Sequence, residues 1–384
     1  MRAKGLFFWV GNGKLPSMTR TLLFVAALTA LATPAFAQEA ADAPPSPNQI
    51  VEQAAAEEWV RIAPEDLLVM TLAPDAAGNE RTVVIQLMPP PFSQGWVANI
   101  RTLARAGWYD DITVNRVQDN YVVQWGDPNY DNPEATGEAK PLPEGLRVVP
   151  EKCYSTYFDN VECGEATAAD TLAEAMMADT FANMEAAAES ADELNAGEGG
   201  SSVDIVATRV EGAPEGWHER DSYADWVEFY RGWPLGGEQS HEKMKFWPVH
   251  CYGMVGVGRG YSPDTGSGAE LYTVIGHAPR HLDRNIALVG RVVEGIENLS
   301  SLPRGKGQLG FYEDADKRTP ILTVRVASDL PPSEQPSFEY LSIEGETFAR
   351  YAEARANRRD PFFIVPAGGA DICNIPVPVR RVDE

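Results

Sequence analysis

The chain has 384 residues, 44% of them hydrophobic, and a formal net charge of −24. This length supplies at least one full hydrophobic core and permits two or three domains. So acidic a surface repels phosphate backbones and anionic lipids, so the composition argues against nucleic-acid binding.

The first predicted element is a secretory signal over residues 1–37. From Met18, a short basic start leads into an apolar run over 22–31, and an Ala-Phe-Ala pattern ends at Ala37. The run is too short to span a bilayer comfortably, and no later segment has the roughly 18 apolar residues that a span needs. We expect export to a bacterial periplasm, cleavage after Ala37 and no membrane span in the mature chain. A retained anchor is the alternative, and Met18 offers an alternative start.

A linker with a short helix is predicted over residues 38–60, Ala/Pro-rich at first and weakly helical later. Two β-type runs, over 67–72 and 81–88, predict a hairpin, and the second is β-branched and bounded by turn residues. Apolar residues at helical spacing predict a helix over 93–106, which stops at Gly107.

Two more strands are expected, over 112–117 and 121–125, before the character of the chain changes. Residues 128–249 are predicted to be a large mixed insertion, with proline-rich turns at its start. Propensity and spacing predict three elements within it: a helix over 165–195, a strand over 204–210 and a short amphipathic helix over 221–231.

Strand patterning resumes after the insertion. Four strands are predicted, over residues 254–258, 270–276, 286–293 and 321–326. Residues 331–384 form a predicted C-terminal extension with one helix over 344–357. The main domain therefore covers 61–330, interrupted by the insertion at 128–249.

Four cysteines, Cys153, Cys163, Cys251 and Cys373, suit an oxidising compartment. Four cysteines allow three pairings, and the sequence alone does not choose among them. The short loop between Cys153 and Cys163 favours that disulfide, which leaves Cys251 with Cys373; free buried thiols are the alternative. No Cys-x-x-Cys motif occurs, so a thioredoxin-like redox role has no support.

Residues 114–127, VNRVQDNYVVQWGD, resemble the signature of the cyclophilins, F-H-R-V-I-P-G-F-M-x-Q-G-G-D. Arg, Val, an aromatic residue, Gln, Gly and Asp fall in register without a gap. Six shorter blocks are similar to other cyclophilin motifs and follow the family's order, at residues 97–100, 107–110, 250–253, 267–272, 282–283 and 289–296.

This resemblance implies a mainly β fold: a closed antiparallel barrel of about eight strands, capped by two helices, one near residues 94–106. It implies peptidyl-prolyl cis/trans isomerase (rotamase) activity in protein folding, with no metal or cofactor. The implied partners are proline-containing unfolded or extended envelope proteins. The oligomeric state is left open.

The chemistry of such a site is modest. Amide resonance gives the Xaa-Pro bond partial double-bond character, so its rotation is slow. A group that localises the prolyl nitrogen lone pair, or stabilises the twisted amide, lowers the barrier. A guanidinium is suited to this because it stays charged and offers rigid donors. The resemblance implies that Arg116 has this role, and that Gln124 orders the arginine and contacts the substrate backbone; a solvated strand arginine is the alternative.

The proline ring needs an apolar slot. The resemblance implies seven substrate-binding residues: Tyr121, Val122, Val257, Glu270, Leu271, Tyr272 and Leu282. Several depart from the family: Tyr replaces Phe at 121 and 272, Val122 replaces Met, Glu270 replaces Gln, and Ile286 replaces His. A carboxylate at Glu270 is expected to pair with Arg116 and compete with substrate. The departures favour a second hypothesis, a non-catalytic peptide-binding or chaperone module on the same fold.

Overall fold

The structure is a computed structural model, and it describes residues 44–130, 133–157, 163, 221–240 and 243–382. Three predicted elements lie outside the described residues: the signal over 1–37, the helix over 165–195 and the strand over 204–210. Within the described residues, no helix is long and apolar enough to cross a membrane.

The described part of the chain is mainly β-structure. Its strands, in chain order, are β1 (Trp59–Arg61), β2 (Leu67–Leu72), β3 (Arg81–Leu87), β4 (Ile112–Val117), β5 (Val122–Gly126), β6 (Thr156–Tyr157), β7 (Trp226–Tyr230), β8 (Trp233–Ser240), β9 (Lys243–Pro248), β10 (Met254–Val257), β11 (Leu271–Val274), β12 (Leu288–Glu294), β13 (Thr319–Val326), β14 (Phe338–Leu341) and β15 (Val379–Arg381). Its α-helices are α1 (Pro47–Glu52), α2 (Gln94–Arg105), α3 (Glu297–Ser300) and α4 (Glu346–Ala356).

Eight antiparallel strands close into a barrel in the order β10, β11, β5, β4, β13, β2, β3 and β12. The first hairpin, β2–β3, turns where the carboxylate of Asp75 accepts the N–H groups of Ala77 and Asn79. Side chains alternate between the two faces of each strand, and one face fills the barrel with apolar residues such as Val114 and Trp125. The predicted closed eight-stranded barrel is confirmed.

Helix α2 packs against the barrel through an apolar stripe that includes Trp96, Ile100 and Leu103. The indole N–H of Trp96 also donates to the carbonyl of Gly266, 3.1 Å away, so the helix holds a loop beside the strands. The second helix next to the barrel is the single turn α3, which contacts β3. Both helices therefore pack against the same barrel.

A second sheet, in the order β6, β9, β8 and β7, lies in the chain between barrel strands β5 and β10. The helix predicted over 221–231 is wrong, because residues Trp226–Tyr230 form strand β7 and pair with β8. Trp226 lies opposite Gly237, where an added Cβ would come within 2.5 Å of the indole. The aromatic and β-branched residues of this segment favour a strand once a partner strand is present.

Strand β1 and the C-terminal strands β14 and β15 build a third sheet, in the order β1–β14–β15. Helix α1 packs against the C-terminal helix α4. These elements share a hydrophobic cluster of their own, which includes Phe348, Tyr351 and Ile375. The helix predicted over 344–357 is confirmed as α4. Two disulfides are present, Cys153–Cys163 and Cys251–Cys373, the pairing that the short first loop favours.

Candidate active site

Four residues on neighbouring strands line up across the outer face of the barrel. Arg116 on β4 is the register partner of Gln124 on β5. Gln124 also pairs with Tyr272 on β11, and Tyr272 pairs with Gly256 on β10. We call this row the groove floor. Because side chains alternate along each strand, the members of the floor point away from the barrel core.

A β-bulge aims Arg116 at this face. The register of β4 against β5 shifts between Val114 and Arg116, and the residue between them, Asn115, is buried. The Asn115 amide donates to the carbonyl of Gly126, 3.1 Å away, and accepts from the Thr113 hydroxyl at 2.6 Å. A bulge of this kind re-aims a side chain, and here it leaves both Val114 and Val117 in the core while Arg116 turns outward.

Three acceptors hold the Arg116 guanidinium. Its Nε donates to the Leu309 carbonyl at 2.7 Å, and Nη1 donates to Oε1 of Gln124 at 3.1 Å. Nη2 donates to Oε1 of Gln118. The rings of Tyr121 and Phe311 lie 5.6 and 5.7 Å from the guanidinium carbon, at cation–π distance. The side chain is therefore anchored.

Burial lowers the pKa of Arg116, and the neighbouring Tyr121 hydroxyl opposes that effect. The ordinary pKa of arginine lies far above neutrality, so the group stays charged at physiological pH. A partly desolvated charge beside a groove interacts more strongly with a bound dipole than a charge in water does.

Glu270 does not pair with Arg116, contrary to the sequence-based expectation. The Gln124 amide lies between them: its oxygen accepts from Arg116, and its nitrogen donates to Oε2 of Glu270 at 3.5 Å. The carboxylate packs on the backbone of β5, because a Cβ added at Gly126 would lie 1.9 Å from Oε1 of Glu270. The glycine opens a slot that the acid enters, and the slot directs the acid away from the guanidinium.

A small apolar cluster adjoins the groove floor, with which it shares Tyr272, and is separate from the barrel core. It consists of Val122, Tyr272 and Val274, with Tyr121 and Ile286 packed against it. Together with Leu282, members of this cluster line a groove of about 740 Å³ that also contains Arg116, Gln124 and Glu270. We call the cluster the apolar patch. It offers a surface for an apolar ring beside the guanidinium.

The structure brings most of the predicted site residues to this groove, but not Val257 or Leu271. Both belong to the barrel core and are at most 3% exposed. Each follows or precedes a groove-facing residue on its strand, so alternation turns it inward. The sequence assigned these strands to the site, but it did not show that the side chains of these two residues point inward.

Sequence reasoning missed several groove residues. The main ones come from the loop before β13, where the Leu309 carbonyl and the Phe311 ring contact Arg116. Gln118 and Arg259 were missed as well. Leu309 has φ +55, a left-handed conformation uncommon for leucine, but nothing in the local sequence signals it. The Leu309 and Phe311 contacts join residues far apart in the chain, whereas Gln118 lies two residues from Arg116.

Comparison with known proteins gives one family match. Residues 82–174 match the family model described as cyclophilin type peptidyl-prolyl cis-trans isomerase/CLD. No curated protein matches the chain by sequence.

Among solved structures, 92 chains match. One is the cyclophilin AquaCyp293 from Hirschia baltica, with a TM-score of 0.51 and 18% identity over 86% of this chain and 98% of that one. Another is a Cryptosporidium parvum cyclophilin type peptidyl-prolyl cis-trans isomerase, with a TM-score of 0.33 and 11% identity over 68% of this chain and 96% of that one. The likeness to the Hirschia protein shows a shared fold.

Proposed function

We propose that the barrel of this chain is a cyclophilin-type peptidyl-prolyl cis-trans isomerase domain in which Arg116 stabilises the twisted amide of a bound Xaa-Pro bond. The observation that carries the proposal is the anchored guanidinium beside the apolar patch. Substrates would be proline-containing segments in extended form, because the groove is open to the surface of the barrel.

The proposed mechanism has no covalent step. As the amide twists, conjugation is lost and the lone pair becomes localised on the prolyl nitrogen. A guanidinium N–H directed at that nitrogen donates to the lone pair more strongly in the twisted amide than in the planar one, so it lowers the barrier. Three protein acceptors and two rings fix Arg116, so little reorganisation accompanies the reaction.

The apolar patch would hold the proline ring while the rest of the peptide rotates. Tyr272 and Val122 form one side of the patch, and Ile286 packs against it. Gln124 keeps its oxygen on Arg116, so it orders the guanidinium. Its amide would also contact the substrate backbone.

The test is a protease-coupled isomerase assay on a short Xaa-Pro peptide. We expect Arg116→Ala to lower kcat/KM about a hundredfold, the usual effect of removing a donor that acts on the transition state. Arg116→Lys keeps the charge but loses the rigid fork, so its activity should fall between the two. Far-UV circular dichroism should show both variants folded, and an alanine variant with more than about half of the activity would refute the assignment.

A second candidate is a non-catalytic peptide-binding module on the same fold. Glu270 favours this candidate, because the chain has a carboxylate beside Gln124 of the groove floor, where the resemblance to the cyclophilins implies the amide of a glutamine. This candidate predicts that the wild-type chain binds a proline peptide in calorimetry but does not accelerate its isomerisation.

We also propose that the chain is exported to an oxidising envelope compartment, where its clients would be unfolded envelope proteins. The two disulfides support this, since such bonds persist outside the reducing cytosol. Mass spectrometry of the exported protein should find Gln38 at the N-terminus. Recovery of residues 18–37 on the mature protein would contradict cleavage and indicate an anchor.

A further inference from the structure

Tyr272 carries a hydroxyl that the barrel must accommodate in a buried position. The residue is only 5% exposed, and burial raises its pKa well above the ordinary value, so the hydroxyl stays protonated. A buried hydroxyl without a partner costs free energy. Here the partner is His250, whose Nε2 lies 2.9 Å from the Tyr272 oxygen. The two rings are nearly parallel, at an interplanar angle of 8°.

His250 is itself held from the opposite side. It is fully buried, and its Nδ1 lies 2.8 Å from Oδ1 of Asp283, which also accepts the His250 backbone N–H at 3.0 Å. The other oxygen of Asp283 accepts from Nε of Arg280 at 2.7 Å. Arg280 in turn donates to both oxygens of Asp221, at 2.7 and 2.9 Å. We call these five residues the buried chain.

The buried chain selects one tautomer of His250. Asp283 accepts from the Arg280 guanidinium and from a backbone N–H, so it is an acceptor toward Nδ1 as well. In the neutral ring, Nδ1 therefore carries the hydrogen and Nε2 presents its lone pair. The Tyr272 hydroxyl then donates to Nε2, which fixes the direction of its O–H bond.

The position of the Tyr272 ring decides the shape of the groove. The ring belongs to the apolar patch and lies over Gly256, where an added Cβ would be 2.3 Å from the hydroxyl oxygen. The tyrosine is therefore confined by backbone below it and tethered by His250 at its tip.

We propose that His250 is a positioning residue of the isomerase: it tethers the Tyr272 ring through the hydroxyl and so keeps the wall of the proline slot in place. The inference rests on the proposed function of the groove. His250 lies behind Tyr272 and acts through it. The wall contacts the proline ring in the planar and in the twisted amide alike, so loss of the tether raises KM and leaves kcat nearly unchanged.

Two amide substitutions separate the tether from the structural role of His250. The amide of His250→Asn occupies the place of Nδ1, so it keeps a bond to Asp283 and is too short for Tyr272. The longer side chain of His250→Gln occupies the place of Nε2, so it reaches the Tyr272 hydroxyl and gives up Asp283. If His250 had only a structural role, both substitutions would reduce activity in proportion to the stability that they remove.

The experiment measures KM and kcat for an Xaa-Pro peptide, with the melting temperature of each variant. We expect His250→Asn to raise KM about five- to tenfold, the effect of one lost hydrogen bond, with kcat within about twofold. His250→Gln should raise KM less than half as much. Equal rises for the two variants, or rises that follow the melting temperature, would overturn the proposal.

Tyr272→Phe, combined with His250→Asn, gives a double-mutant cycle that completes the test. It removes the tether and leaves no unpaired hydroxyl, so we expect a KM rise of about two- to threefold. In the Tyr272→Phe background, His250→Asn should add nothing; the same additional loss there would refute action through Tyr272. If His250→Asn does not fold, an unchanged KM for Tyr272→Phe refutes the tether by itself.

Failure of the proposed function has a different signature. If the wild-type protein binds the peptide but does not catalyse, the isomerase proposal fails. The dissociation constants of the same variants, measured by calorimetry, then still test the tether. A larger increase in the dissociation constant for His250→Asn than for His250→Gln supports the tether, and equal increases contradict it.

Discussion

At the residue scale, Glu270 adds a carboxylate to the groove, a feature that the barrel fold itself does not require. The carboxylate sits in a slot between strands, since a Cβ at Gly258 would lie 2.8 Å from the Glu270 Cβ and a Cβ at Gly126 would meet its oxygen. Gln124 separates the acid from the Arg116 guanidinium. Glu270 and Arg116 line the same groove, and we expect the acid to make this groove favour cationic segments.

Replacement of the acid by its amide tests this selectivity. Glu270→Gln should lower the ratio of kcat/KM for an Ala-Lys-Pro peptide to that for an Ala-Glu-Pro peptide. About fivefold is expected, which corresponds to about 1 kcal/mol between charges several ångströms apart in a partly wet groove. The exposed Glu334 gives the control, and Glu334→Gln should leave the ratio unchanged. An unaltered ratio in Glu270→Gln would show that the acid has no role in selection.

At the scale of the elements, four neighbouring strands build the groove floor, and a glycine on one of them makes room for a side chain of the next strand. On β10, Gly256 leaves room for the Tyr272 ring of β11, and the ring then reaches His250. Glycine in a strand commonly marks such a close approach. The groove therefore depends on the absence of a side chain as well as on the presence of others.

Gly256→Ala should push the Tyr272 ring out of its position. Overpacking of this kind costs about 1–3 kcal/mol of unfolding free energy, and we expect kcat/KM to fall at least about tenfold because the ring wall moves. Denaturant unfolding and the peptide assay measure the two effects. Gly369→Ala is the matched control, since an added Cβ there meets no atom within 4 Å. A Gly256→Ala variant as active as this control would contradict the role of the ring.

At the scale of the whole molecule, a disulfide ties the C-terminal extension to the barrel. Cys251 follows His250 directly, and its partner Cys373 lies 122 residues further along the chain. The other disulfide, Cys153–Cys163, closes a separation of only 10 residues. Cross-links that close long loops restrict the unfolded chain more, so the two bonds differ in their expected contribution to stability.

The chain-entropy relation assigns about 4.9 kcal/mol to the long loop and about 2.7 kcal/mol to the short one. We therefore expect the Cys251→Ser/Cys373→Ser pair of substitutions to lower the unfolding free energy by about 2 kcal/mol more than Cys153→Ser/Cys163→Ser. Guanidinium unfolding of the two double variants and the wild type gives the comparison. A larger loss for the short loop would show that strain or residual structure, not loop closure, governs these bonds.

The sequence by itself determined which segments become barrel strands, and the resemblance of residues 114–127 to the cyclophilin signature indicated which residues of one hairpin reach the groove. The predicted strand over 112–117 coincides with Ile112–Val117, and Arg116 and Gln124 come from adjacent strands only a few residues apart. The strands could be predicted because alternation of side chains and the residues that favour turns are properties of short stretches of backbone.

Only the tertiary structure decided how those side chains are held. The bulge at Asn115 re-aims Arg116, a carbonyl 193 residues away accepts its Nε, and Gln124 keeps Glu270 from the guanidinium. It also decided that Trp226–Tyr230 forms a strand, since only a paired neighbour completes its hydrogen bonds. Such partners are distant in sequence, and their distances depend on how the whole barrel closes rather than on any local pattern.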